Sequence, residues 1–235
     1  MDTTLSPKRA GVFEAALQKI FTRGARVLEI AEPSPDFRLI TLGGDALRDV
    51  DWTPGDKIQL MLGGWTQRTY TPLDWDAAEG RTRILVYLHG DAPGTRWART
   101  LRQGDACAFF GPRKSVRLAP AASPVILFGD ETSLGLAVAL SAEATTHMLF
   151  AARDPGQTRA VAERLQLRNA SVESAEHALD AHMAALLAAH PMADVVLTGK
   201  AGAIQHMGRL LREHGVGAAR RQSKAYWAPG KTGLD

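Results

Sequence analysis

The chain has 235 residues, 45% of them hydrophobic and 23% charged, and a formal net charge of +3. This composition excludes a disordered or fibrous chain and suits one large or two modest domains, each able to bury a core. No apolar run approaches the ~18 residues of a membrane helix, and one cysteine, Cys107, excludes an intramolecular disulfide and a cluster held by about four thiolates.

In chain order, Ser6-Pro7 reads as a helix start, a serine cap followed by proline at the first helical position. Phe13, Leu17, Ile20 and Phe21 then recur at helical spacing, and Gly24 ends the segment. Residues 1–23 are thus expected to be an amphipathic helical extension. They hold no signal-peptide core, so the expected compartment is the cytoplasm.

Over 24–119 the pattern is short apolar or alternating runs broken at Gly or Pro: ARVLEIAEP, FRLITLGG, DKIQLMLGG, RTRILVYLHG, ACAFFGPR and SVRLAP. This spacing predicts a six-stranded antiparallel barrel. The character changes at Ser123-Pro124. VILFG, HMLFA, ASVES and ADVVLTGK read as strands, and GLAVALSAEA, GQTRAVAERLQ, AEHALDAHMAALLAAH and AIQHMGRLLREHG as helices between or after them. Alternating strands and helices predict a parallel α/β domain over 120–235.

Three stretches carry chemistry. QRTYTPLD (67–74) brings a guanidinium, a phenol and hydroxyls (Arg68, Thr69, Tyr70, Thr71) onto one short extended piece. An exposed strand favours Thr and Tyr in any case, so alone it is weak. HGDAPGTRWART (89–100) leaves a strand, turns at Gly and opens a possible helix, where backbone N–H groups and the helix dipole suit a phosphate. FGDETSLGLA (128–137) also leaves a buried strand for a helix, but lacks the full G-x-G-x-x-G fingerprint. Asp130, Glu131, Thr132 and Ser133 there either face a ligand at the strand ends or cap the helix.

Arg153 ends the second strand of the α/β half and suits a ribose 2′-phosphate, favouring NADPH, whereas Asp154 beside it suits a free 2′-hydroxyl. From Lys200 onward seven basic residues face two acids, a field suited to an anionic ligand. They are not interleaved with aromatics apart from Tyr226 and Trp227, and no nucleic-acid motif is present, so no nucleic-acid partner is expected. His177 and His182 are five apart and do not share a helix face, so no metal site is expected.

RTYT, HGDAPGTRWA with FFGPR behind it, FGDETSLGLA and the tail KAYWAPGKTG, in that order, resemble the siderophore-interacting protein family, flavin reductases of the ferredoxin–NADP reductase superfamily, over about residues 25–233. The resemblance implies FAD in a cleft between barrel and α/β domain, hydride transfer from NAD(P)H to flavin N5, and single-electron transfer to a ferric siderophore. It implies that Arg68 pairs with FAD phosphate, that Tyr70 lies against the isoalloxazine or ribityl region, and that Thr71 bonds near N5. His89, Gly90, Asp91, Gly94, Thr95, Arg96 and Trp97 would complete the flavin contact. Asp130, Glu131, Thr132 and Ser133 would mark the nicotinamide side, and Tyr226 and Trp227 would return toward the flavin. Lys200, Arg220, Arg221 and Lys224 would steer an anionic siderophore. No residue is expected to act as a catalytic acid or base, and a monomer is expected. The sequence departs from the family pattern where PLDWD is acidic, where the HGD turn is one residue shorter, and where Lys200 replaces an acid. Two alternatives stay open: a general NAD(P)H flavin oxidoreductase serving a protein or quinone, and a non-catalytic flavin- or siderophore-binding module.

Overall fold

The computed structural model describes residues 22–64, 66–118 and 124–231. The N-terminal helix expected over 1–23 therefore lies outside the described residues, apart from its last two positions, and the chain is already in a strand at Arg23.

The first half is one antiparallel sheet of seven strands: β1 (Arg23–Ser34), β2 (Phe37–Gly43), β3 (Lys57–Met61), β4 (Gln67–Tyr70), β5 (Asp74–Asp76), β6 (Arg81–Tyr87) and β7 (Ala106–Arg113). Their order is β4-β3-β7-β1-β2-β6-β5. Alternation decides which side chains point inward. In β6, Thr82, Ile84 and Val86 are buried while Arg81 and Arg83 are exposed; in β3, Ile58 and Leu60 are buried. With Ile40, Leu42 and Phe109 these form one core around which the sheet curls, bringing β4 near β6. A short helix, α1 (Pro93–Thr100), follows β6 and buries Ala98 in the same core.

The strand count differs from the six expected. β4 and β5 are short edge strands, four and three residues long, too brief for alternation to stand out. SVRLAP is not a strand over its described residues. Instead Val116 N–H donates to Gly55 O at 3.0 Å and Arg117 N–H to the Gln222 side chain at 3.1 Å. The segment crosses to the second half, where Val116 packs into the other core. Gly55 allows this crossing: at φ +91° it has no Cβ, which would lie 2.4 Å from Val116 O.

The second half is a parallel sheet of β8 (Val125–Gly129), β9 (Thr146–Ala151), β10 (Ala170–Glu173), β11 (Asp194–Lys200) and β12 (Arg221–Trp227), in the order β10-β9-β8-β11-β12. β8 is buried throughout, as a parallel strand covered on both faces must be. Helices α2 (Leu134–Ser141) and α3 (Pro155–Arg164) contribute to one core, and α4 (Glu176–Ala189) and α5 (Ala201–Glu213) to another. β12 was not expected as a strand, because RQSKAYW begins polar and sits at the sheet edge. The halves meet through apolar contact: Phe37 and Val116 share a buried cluster with Leu134 and Phe150. The Ser34 hydroxyl adds a 2.5 Å hydrogen bond to Gln157 Oε1. Among the described residues no helix is long and apolar enough to cross a membrane.

Candidate functional site

The two halves enclose a cleft of ≈ 230 Å³ beside β4, the outward face of β6, the start of α1 and the end of β12. That is below the ~300–1,000 Å³ of a whole small-molecule site, so a dinucleotide would extend past it. Leu85 and Tyr87, the outward positions of β6, form one wall. No carboxylate lines the cleft among the described residues, while Arg68, Lys224 and Lys231 do.

β4 is an edge strand paired only to β3, and Arg68, Thr69, Tyr70 and Thr71 all line the cleft. Burial raises the Tyr70 phenol above its ordinary value. Gly94 in the first turn of α1 faces β4. A Cβ there would lie 3.0 Å from Tyr70 Oη and 3.5 Å from Arg68 Cγ. The N-cap of α1, Ala92, offers no side-chain cap, and Pro93 follows it. Backbone donors of the first turn thus have no capping acceptor, with the Arg68 stem beside them.

Aromatic rings continue from this wall. Tyr87 stacks on His89 at 5.4 Å between centroids, and His89 lies 5.8 Å from Trp227. Tyr226 also lines the cleft. Burial pushes its phenol up to about 12, yet its hydroxyl, beside Thr71, has no hydrogen-bond partner of normal geometry. A buried hydroxyl without a partner calls for an explanation, of which a missing ligand is one.

The Gly-Asp-Glu-Thr turn is built differently from the ligand-facing reading. The Asp130 carboxylate accepts Trp227 Nε1–H at 2.7 Å, Lys200 N–H at 2.8 Å and Thr132 N–H at 2.9 Å, and also the Thr132 hydroxyl. Ser133 Oγ accepts from Thr198 Oγ1 at 2.8 Å. Asp130, Glu131 and Ser133 do not line the cleft, whereas Thr132 does. The capping alternative describes Asp130, and it also ties the C-terminal Trp227 to the β8 turn.

Glu131 is 7% exposed. It accepts Arg153 N–H at 2.6 Å, and the Tyr87 phenol lies near it across the interface. Burial raises its carboxyl above the ordinary value, and these donors only partly offset that. Burial, with Glu131 and Asp36 nearby, pushes Tyr87 to about 12. A raised acid favours the folded state most below its unfolded value, about 4.3. This contribution is lost as pH rises through the raised folded value. Glu131→Gln removes that loss. Its urea midpoint relative to the parent is therefore expected to climb from about pH 4 to pH 7; a flat difference would show that the donors hold the charge at no cost.

The other expected site residues are divided between the cleft and the rest of the surface. Asp91 and Arg96 form a surface ion pair at 2.8 Å, Gly90 serves the turn at φ +58°, and Trp97 packs against the barrel core, 6.3 Å from Tyr70. Thr95 lines the cleft but spends its hydroxyl on His89 O at 2.9 Å. The exposed Arg153 stands at the tip of β9, while Asp154 caps α3 through Gln157 N–H at 3.0 Å. The four basic residues are split. Lys224 lines the cleft and Lys200 Nζ lies 5.6 Å from the Trp227 ring. Arg220 donates to Pro191 O at 2.5 Å, and Arg221 lies in a different groove. The split follows position along β12: its first residues, Arg221 to Ser223, line the groove, and those from Lys224 onward line the cleft. Missed by sequence reasoning were Gln67, Leu85, Tyr87, Gly135 and Lys231; the outward alternation of β6 was the one signal for Leu85 and Tyr87. Among the described residues no group of His, Cys, Asp and Glu could hold a metal.

A family model described as the siderophore-interacting FAD-binding domain matches residues 64–116. No curated protein sequence matches the chain. Among solved structures, a siderophore utilization protein from T. fusca aligns with TM-score 0.71 and 23% identity, over 91% of this chain and 95% of that one. The siderophore-interacting protein SipS from Aeromonas hydrophila aligns with TM-score 0.67 and 23% identity, over 89% and 92%. Phthalate dioxygenase reductase aligns with TM-score 0.75 and 13% identity, over 91% and 71%. At these identities the likeness is one of fold. Residues 64–116, which contain β4, the outward wall of β6 and the α1 turn, thus resemble the siderophore-interacting FAD-binding domain, and they are set in a fold shared with siderophore-interacting proteins and with oxygenase reductases.

Proposed function

We propose that the chain is a FAD-dependent NAD(P)H oxidoreductase that reduces a ferric siderophore, with residues 24–119 as the flavin-binding unit and 120–235 as the nicotinamide-binding unit. The observation that carries this reading is the fit of the cleft to a flavin: the buried, unpartnered Tyr226 hydroxyl and the glycine cradle at Gly94 beside Arg68. The family match over the same segment supports it.

Arg68 and the uncapped first turn of α1 would hold the FAD phosphates, since a guanidinium and helix-start N–H groups both suit oxyanions. Tyr70 would give a flat face to the ring system. Thr71 and Tyr226 would supply hydroxyls at its polar edge. Thr69 and His89 would flank it, and Thr132 with Gly135 would border the nicotinamide. When bound, FAD supplies the conversion of a two-electron hydride donor into single electrons for a ferric centre. Ferrous iron is held less tightly by hard oxygen ligands and is released. The residues bind, orient and exclude water; no side chain need exchange a proton. Lys224 in the cleft, with Lys200 beside Trp227, would attract an anionic chelate.

The reading is tested by absorption spectra of purified protein reconstituted with FAD. Anaerobic NADPH is expected to bleach the flavin band, and ferric siderophore with a ferrous trap to restore it as the ferrous signal forms. Bleaching that no ferric chelate reverses would favour a protein or quinone acceptor, the second reading kept open by the fold shared with phthalate dioxygenase reductase. Flavin bound but never bleached by either nicotinamide would favour a binding module. Arg153→Ala is expected to weaken NADPH about tenfold while leaving NADH nearly unchanged; steady-state KM values for both cofactors check this, and equal losses would remove Arg153 from 2′-phosphate recognition.

A further inference from the structure

Apart from the cleft, a groove of ≈ 510 Å³ runs between α5 and the edge strand β12, and no residue lines both cavities. On α5, Gln205, Gly208, Arg209 and Arg212 fall on one face at helical spacing; on β12, Arg221 and Ser223 face them. Leu197 and Ile204 supply apolar surface. Three guanidinium groups therefore converge, and among the described residues none has a carboxylate at ion-pair distance; Arg209 and Arg212 are exposed. Arg221 is bound only through a long contact, Nη1 to Gly208 O at 3.4 Å, and its Nε–H is buried without an acceptor. Gly208 is an unfavourable residue within a helix. Its missing side chain leaves room beside Arg212, whose Nη1 would stand 3.9 Å from a Cβ there.

We propose that this groove is a second binding site, for a small polyanion that carries two neighbouring oxyanion groups, phosphate or carboxylate. Like charges gathered without counter-charges repel one another, and Arg geometry matches oxyanions in bidentate fashion. Three guanidiniums lining one groove call for an acceptor-rich ligand, and a singly charged ion would leave most of these donors unused. The site is independent of the flavin reading.

The experiment is calorimetric titration of the full chain, with and without added FAD, with pyrophosphate and, separately, citrate at fixed ionic strength. At least one probe is expected to bind one-to-one with Kd below about 1 mM. Arg209→Gln with Arg212→Gln should weaken it at least about tenfold, whereas Lys224→Gln with Lys231→Gln, in the cleft, should change it less than about threefold. Gly208→Gln, which favours the helix and fills the space beside Arg212, should reproduce the groove loss in a chain that circular dichroism shows folded. Binding of pyrophosphate alone identifies a phosphate ligand, of citrate alone a carboxylate ligand. No binding of either probe, or loss that follows the cleft pair or is equal for both pairs, overturns the site.

Discussion

Replacing Asp130 by alanine is expected to destabilise the chain by about 3–5 kcal/mol, the range for breaking a buried hydrogen-bonded charge network. The side chain is a buried carboxylate, 5% exposed, that collects donors from three separate parts of the chain: Thr132 in its own turn, Lys200 at the end of β11 and Trp227 at the end of β12. Alanine leaves these donors without their acceptor in a site that water reaches poorly. Gly199 shows how tightly the carboxylate is seated, since a Cβ on it would lie 2.5 Å from Asp130 Cγ. Asp130→Asn keeps one acceptor oxygen and should lose about half as much. Urea denaturation of both variants measures this. A loss below about 1 kcal/mol for alanine would show that the donors find water instead. Because Trp227 borders the cleft, the alanine variant should also weaken FAD retention, while Asn should do so less.

Gly94→Leu is expected to separate binding from folding. Leucine is a better helix former than glycine, but Gly94 is buried and a side chain there crowds Tyr70, so an overpacking cost of about 1–3 kcal/mol should lower the unfolding midpoint modestly in a chain that circular dichroism shows folded. Even its Cβ would press to 3.0 Å from Tyr70 Oη, and the rest of the side chain must enter the space between Arg68, Tyr70 and the helix start. We expect FAD affinity to fall at least about 100-fold, equivalent to about 2.7 kcal/mol, measured by flavin fluorescence titration of the apo chain. Gly94→Ala should show a smaller loss. Unchanged affinity in Gly94→Leu would mean that the flavin does not pass this face of β4.

How much of this was legible in the sequence depended on whether the signal was local. Buried parallel strands announce themselves as short apolar runs, and VILFG and ADVVLTGK form adjacent strands of the second sheet. Arg68, Tyr70 and Thr71 stood out because three functional side chains share one short stretch, and all three line the cleft. The edge strands β4, β5 and β12 were harder. A strand paired on one side and covered on one face keeps polar residues, and three or four residues are too few to show a period.

Periodicity and turn residues are properties of neighbours along the chain, so the two-part architecture, the antiparallel and parallel character of the parts, and the segment that carries the family likeness were all readable from local patterns. The use of each charged residue was set by contacts made on folding. Folding turned Asp130 from a ligand-facing candidate into the anchor of Trp227, paired Asp91 with Arg96 on the surface, and sent Lys224 and Arg221 to different cavities. The physical reason is that a charged side chain takes the partner nearest in space, and here those partners come from strands up to 97 residues apart.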